Sequence, residues 1–195
     1  ILIIEDHQVV ADGLAVGFAT EGHTTETHDG DPGTLGGVLD VFEPEVVLLD
    51  LHLGEGSSGI HLLPILKRST SKVVVLTSET RAEILAVALR AGAETVLEKT
   101  IPFPDLVEEI TRVHEAEEGD VPVRREEILR AARAVEADRD RRLAPFRLLT
   151  PREEEVLSYL IQGRHAAEIA EASFVSLTTV RSQIQAVLTK LGVNS

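Results

Sequence analysis

The sequence predicts an α/β fold, a five-stranded doubly wound parallel sheet, followed by a small all-α domain with a helix-turn-helix outline. Three observations predict it. Short apolar, β-branched runs alternate with stretches of helical periodicity over residues 1–118. A polar segment follows over 119–147, and residues 148–195 lose the strand-like runs and instead carry helix caps at regular intervals.

The strand candidates are ILII at 1–4, VVLLDL at 46–51, KVVVLT at 72–77 and ETVLEK at 94–99, with a weaker strand around His23 to His28 completing five. Strands covered on both faces read as continuous apolar runs, and their alternation with helices implies a sheet with helices on each side. Between them, His7 to Thr20 places Val10, Leu14 and Phe18 at four-residue spacing. Pro104 to Glu115 places Leu106, Val107, Ile110 and Val113 on one stripe. Residues 119–123, GDVPV, break both periodicities. A polar helix is expected from Arg124 to Arg142, with Glu126/Arg130 and Asp138/Arg142 as favourable i,i+4 pairs. Its narrow apolar stripe, Ile128, Ala132 and Val135, suits a linker helix; the alternative, a dimerisation helix, needs a longer one.

In the last part, Thr150-Pro151-Arg152-Glu153 forms a capping box with proline at the first helical position, and Gly163 closes that helix. A second helix is expected from Ala166 to Ala172. Ser176 caps a third that reaches Leu191 before Gly192, with Val180, Ile184, Val187, Leu188 and Leu191 facing inward. On spacing alone, three such helices suit a DNA-binding helix-turn-helix and a plain helical bundle equally well.

Composition narrows the function. With 43% apolar residues the chain can bury a core, and with no cysteine it has neither disulfides nor thiolate metal sites. No apolar run approaches the roughly 18–20 residues that cross a bilayer, so a cytoplasmic protein with no membrane partner is expected. The chain opens at Ile1 inside an apolar run, and residues are expected to precede it. Charge is uneven: 22 acidic against 7 basic side chains in 1–118, 6 against 8 in 119–147, and 5 against 4 in 148–195. The acidic first part repels nucleic acid and favours a cation or a basic partner.

Ligands of a doubly wound sheet bind outside the carboxyl ends of its strands. There the sequence places Glu5 and Asp6 after the first strand, Asp50 at the third, Thr77 at the fourth and Lys99 at the fifth. Clustered carboxylates need a cation, and an oxygen-lined site with few protein ligands suits Mg²⁺. Lys99 adds a positive charge and Thr77 a hydroxyl donor, both suited to phosphate oxygens.

At these residues the chain resembles the receiver domains of response regulators, and over nearly its full length it is similar to the LuxR/NarL-type subfamily. The resemblance implies a flavodoxin-like receiver at 1–118, a linker at 119–147 and a LuxR-type helix-turn-helix at 148–195. It implies that Asp50, in VVLLDLH, accepts a phosphoryl group from a histidine kinase. Asp6 would bind Mg²⁺ directly, Glu5 partly through water, and the backbone carbonyl of His52 would complete the protein ligands. Thr77 and Lys99 would meet the phosphoryl group. The stretches LTPREEEVLSYLIQG, EIA and TVRSQIQAVLTKLGV resemble the LuxR-type DNA-binding motif, which resolves the helical-bundle ambiguity in favour of double-stranded DNA. Arg181, Ser182 and Gln185 are then expected to face the major groove, with Thr179 and Lys190 nearer the phosphates. A homodimer is expected on phosphorylation, and the protein is expected to be a switch, not a turnover enzyme.

Departures from the family pattern are specific. The usual aromatic switch position is Val96, Gly54 stands where proline is common and is expected to loosen its loop, His165 replaces a serine cap, and Gln183 replaces histidine. The subfamily usually has a fourth helix, and it is expected to follow Ser195. Two other readings remain. A haloacid-dehalogenase-like phosphatase would also use a strand-end aspartate and Mg²⁺ but needs an acid where His52 stands; a phosphorylation-independent regulator with an atypical receiver draws its support from Val96.

Overall fold

The computed structural model describes residues 1–54, 58–117 and 123–193. The GDVPV break up to residue 122 and the middle of the loop after Asp50 lie outside the described residues. The chain divides into two compact units, Ile1–Ala134 and Val135–Ser195.

In the first unit, β1 (Leu2–Ile4), β2 (Glu26–His28), β3 (Val46–Leu49), β4 (Lys72–Thr77) and β5 (Thr95–Glu98) form a parallel sheet in the order β2-β1-β3-β4-β5. The helices are α1 (Gln8–Thr20), α2 (Pro32–Phe42), α3 (Leu63–Leu66), α4 (Ala82–Ala91), α5 (Phe103–Glu115) and α6 (Val123–Leu143), whose first part belongs to this unit. Two-residue alternation along each strand splits the core into two layers. Leu2, Ile4, Val47, Leu49, Val73, Val75 and Val96 pack with apolar residues of α2, α3 and α4. Ile3, Val46, Leu48, Val74, Leu76 and Leu97 pack with Phe18 of α1 and with Leu106, Ile110 and Val113 of α5.

Two expectations need correction. Val10 is 39% exposed, because the inward stripe of α1 runs through Ala11 and Phe18, one step round the helix. The polar helix is more than a tether: Ile128 and Leu129 pack against the first core layer, whereas Val135 is 42% exposed.

In the second unit, α7 (Pro151–Ile161), α8 (Ala166–Ala172) and α9 (Leu177–Leu191) bury Val156, Ile169 and Val180 at their junction. The capping box at Thr150 and Glu153 forms as expected, and the Ser176 hydroxyl accepts the Thr179 N–H. His165 begins α8 with its backbone N–H donated to Glu168 at 2.7 Å, the reciprocal half of a capping box. Among the described residues, no helix is long and apolar enough to cross a membrane.

Candidate functional site

Strand order places β1 between β2 and β3, and connections leaving β1 and β3 diverge there, which makes their carboxyl ends the binding crevice. Ladder hydrogen bonds continue past the strands and fix the residues that follow. The Asp50 N–H donates to Ile4 O at 3.0 Å, Glu5 N–H to His28 O at 3.0 Å, and Lys99 N–H to Thr77 O at 3.0 Å. The site backbone is therefore as rigid as the sheet itself.

The structure brings Glu5, Asp50 and Lys99 together. The Lys99 ammonium donates to Glu5 Oε2 at 2.5 Å and to Asp50 Oδ2 at 2.8 Å. Burial opposes the Lys99 charge, but these two carboxylates more than offset it and raise its pKa above the ordinary lysine value. Asp6 is held from the other side: Gly54 N–H donates to its Oδ2 at 2.7 Å. Burial works against ionisation of Asp6, yet the Gly54 bond and the adjacent His7 keep its carboxyl below the usual range. Two oxygens, Asp50 Oδ1 and Asp6 Oδ1, are buried without a hydrogen bond; only the His7 ring nitrogen, 2.9 Å away, attends the latter. The orphaned Asp6 Oδ1, beside further acids, fits a hard divalent cation, which supplies the missing positive charge.

Thr77 is fully buried at the end of β4. Its hydroxyl accepts the Glu79 N–H at 3.2 Å and lies 3.4 Å from His52 Nδ1. Val96 is buried in the core layer next to α4.

Four contributors escaped the sequence reading. His7 Nδ1 lies 3.0 Å from Glu5 Oε1 and, with both acids, forms a group able to hold a metal ion. Glu5 chiefly, and then Asp6, raise its pKa. The ring of His52, expected to matter only through its carbonyl, stands 4.0 Å from both Asp50 Oδ1 and Glu79 Oε2. Glu79 is buried, and the Arg81 guanidinium with the Arg81 and Thr80 N–H groups lowers its carboxyl to about 2. At Gly59 an added Cβ would stand 2.0 Å from the Asp50 carbonyl oxygen, so only glycine allows the returning loop so close. Gly54 revises an expectation: its φ of +68° and its N–H to Asp6 are both denied to proline, so glycine here ties the loop to the site.

On the second unit, Thr179, Arg181, Ser182 and Gln185 are exposed along α9, away from buried Val180 and Val187. Other basic side chains of α7 to α9 are engaged. Arg152 pairs with Glu155, Arg164 lies over the Tyr159 ring at 5.0 Å, and Lys190 donates to Glu153 Oε2 at 2.6 Å. Lys190, expected beside DNA phosphates, thus joins α9 to α7, and it is the main cause of a Glu153 pKa of about 2. Arg181 has no ion-pair partner among the described residues.

A sheet with acids and a lysine at its switch point, followed by a compact helix-turn-helix, defines a signal-responsive DNA-binding regulator. The chain belongs to the response regulators: residues 1–111 match the response regulator receiver domain, and residues 147–195 match the luxR family of bacterial regulatory proteins. It is 29% identical to the transcriptional regulatory protein LiaR of Bacillus subtilis (strain 168), over 100% of this chain and 91% of that protein. To the oxygen regulatory protein NreC of Staphylococcus aureus (strain JH9) it is 28% identical, over 100% and 92%. The fold is shared with the RcsB response regulator of Salmonella typhimurium (TM-score 0.56, 24% identity, covering 100% of this chain and 93% of that one). It is shared equally with RcsB in a DNA complex (TM-score 0.54, 23% identity, 100% and 92%).

Proposed function

We propose that Asp50 is the phosphoacceptor and that its phosphorylation controls DNA binding by the second unit. The observation that carries this is the asymmetry of the Asp50 carboxylate: Oδ2 is held by Lys99, while Oδ1 is buried with no hydrogen bond. Oδ1 is the free nucleophile. It attacks the phosphorus of a histidine kinase's phosphoimidazole protonated on its other ring nitrogen; the P–N bond breaks, its electron pair stays on the ring nitrogen, and neutral imidazole leaves. The protein contributes position and charge, as phosphoryl transfer generally requires. Lys99, held on the Asp50 carboxylate before transfer, can shift with the new charge onto the phosphoryl oxygens. Thr77 can exchange its Glu79 N–H for a phosphoryl oxygen by turning about χ1.

Glu5, Asp6, Asp50 and the backbone carbonyl of His52 are the residues that would hold Mg²⁺; bound there, it neutralises the acids and the incoming phosphoryl charge. The chain would catalyse only its own phosphorylation and dephosphorylation. On the second unit, Arg181, Ser182 and Gln185 read bases from α9, with Thr179 beside the backbone and Lys190 contributing only what its bond to Glu153 leaves. Because residues 148–195 hold 5 acidic and 4 basic side chains, a single head has little general attraction for the phosphate backbone. Pairing two heads as a homodimer supplies the missing affinity.

The test is acetyl phosphate with Mg²⁺, followed by intact-mass spectrometry. One phosphoryl group is expected on the wild type and none on Asp50→Asn, which keeps the shape and removes the nucleophile. Undiminished labelling of that variant would place the acceptor elsewhere.

A further inference from the structure

The two arginines that open α6 take part in nothing described so far, yet they make an unusual set of contacts inside the first unit. Arg125 donates through Nη1 to the carbonyls of Ala93 and Glu94 and through Nη2 to Leu89 O at 3.0 Å. Arg124 donates through Nε to Val96 O at 2.8 Å and through Nη2 to Glu98 Oε1 at 2.8 Å. Four of these five acceptors are backbone carbonyls, and they lie along the end of α4, the turn that follows it and β5.

The acceptors at the two ends of this set have a physical reason to want a cation. Leu89 is in the last turn of α4, where the helix dipole is negative and its carbonyl accepts only a long 3.4 Å bond from the Gly92 N–H. β5 is the edge strand of the sheet, so its outward carbonyls are otherwise unpaired. A planar five-donor fork satisfies several such oxygens at once, which a lysine at 124 or 125 would not. Ile128 and Leu129, one turn on, pack against the core layer that contains Leu85, Leu89 and Val96.

The other end of α4 is anchored at the candidate phosphorylation site. Thr77 Oγ1 accepts the Glu79 N–H, and Glu79 accepts from the Thr80 and Arg81 N–H groups just before α4 begins. A Thr77 hydroxyl that turns to a phosphoryl oxygen gives up its bond to Glu79, so α4 is perturbed at its first turn and clasped at its last.

We propose that Arg124 and Arg125 form a clasp by which the start of α6 reads the state of α4 and β5, and that phosphorylation at Asp50 opens it. This rests on the Asp50 reading above. With Val96 in place of an aromatic residue there is no ring to carry the signal to the outer edge of β5, and the Val96 carbonyl held by Arg124 offers a backbone route. Opening frees residues 123–132, the part of α6 seated on the first unit, in the helix that leads on in sequence to the second.

Hydrogen exchange read by mass spectrometry on the full chain tests this, with Mg²⁺ and beryllofluoride as the phosphoryl mimic. In the wild type the mimic should raise exchange over 123–132 by about tenfold, the scale of losing a charge-assisted contact in a locally opening segment. Without the mimic, Arg124→Ala/Arg125→Ala should already show that faster exchange, with matching loosening at 89–98, and should respond little to further addition. Arg125→Lys should fall between, and Arg133→Ala, outside the clasp, should behave as wild type. If the 77–81 amides respond to the mimic while 123–132 do not, the coupling is wrong although the site reading stands. If the double variant exchanges like wild type without the mimic, the clasp itself is wrong. A chain in which neither region responds would overturn both the coupling and the phosphoacceptor reading.

Discussion

Replacing Gly54 separates two things that glycine does at the site. Its φ of +68° lies in the left-handed region, and its N–H donates to Asp6 Oδ2 at 2.7 Å. Gly54→Ala keeps the N–H but places a Cβ in a left-handed conformation, costing about 1–2 kcal/mol. Gly54→Pro also removes the donor to a carboxylate, worth about 1.5–3 kcal/mol, the lower end applying because Asp6 is part-exposed, and its ring excludes the positive φ outright, so the further loss is at least that much. At a urea slope of about 2 kcal/mol/M, the alanine variant should lose about 0.5–1 M in midpoint and the proline variant at least a further 0.75 M or so. Far-UV circular dichroism follows the unfolding. The lone tyrosine, Tyr159, lies in the second unit and there is no tryptophan, so its fluorescence is an internal control that should not move. The pH dependence fixes the cause. The folded-state pKa of Asp6 is depressed, so its contribution is fully present above the unfolded value of about 3.9 and is lost as pH falls through the folded one. The proline–alanine gap should therefore shrink in acid. A gap that ignores pH would refute the assignment of the Gly54 N–H to Asp6.

Other predictions follow the same geometry. Arg181→Ala should cost about 1–3 kcal/mol in DNA binding and relax preference at one base pair; unchanged affinity and preference in competition binding would return Arg181 to the solvated surface. Glu153 has its pKa lowered from 4.5 to about 2, chiefly by Lys190, so the stability it lends the second unit should hold at neutral pH and fall as pH drops from 4.5 towards 2. Thermal unfolding followed at Tyr159 should lose that acid sensitivity in Glu153→Gln, and an identical profile in both proteins would remove the pair from the stability account. If phosphorylation acts through dimerisation, residues 147–195 should bind a single half-site no more tightly than the full chain; markedly tighter binding would mean relief of inhibition instead.

The fold was legible because its signals are local. Four apolar runs matched strands nearly residue for residue, and the caps at Thr150 and Ser176 set the ends of α7 and α9. The candidate site was legible in outline for a topological reason: in a parallel sheet every strand delivers its carboxyl end to the same edge, so Glu5, Asp50, Thr77 and Lys99 share a crevice whatever their separation in sequence. What stayed hidden depends on distances between segments that no pattern encodes. Lys72 read only as the start of a strand, yet its ammonium caps α5 through the carbonyls of Val113, His114 and Ala116. Lys190 read as a phosphate contact because it is basic and late in α9; Glu153, 37 residues earlier, claims it. The capping box that revealed Glu153 gave no hint that the same carboxylate has a second partner.

Charge explains why the two units need a mechanical link. The first unit concentrates acid, a field that favours cations and repels DNA. Residues 148–195 hold four basic side chains, and their own acids or aromatic ring occupy three of them. Electrostatics alone therefore gives the chain neither strong DNA affinity nor a way for added phosphate charge to increase it. A phosphoryl group on Asp50 makes the first unit more acidic still, which in a purely electrostatic switch would weaken binding. If phosphorylation activates, the signal has to travel as a change of packing, and the described residues offer a continuous route for it: Thr77, Glu79, α4, then Arg125 and α6. Every step on that route is a hydrogen bond to backbone or a packed apolar face, which salt screens far less than the surface charges around it.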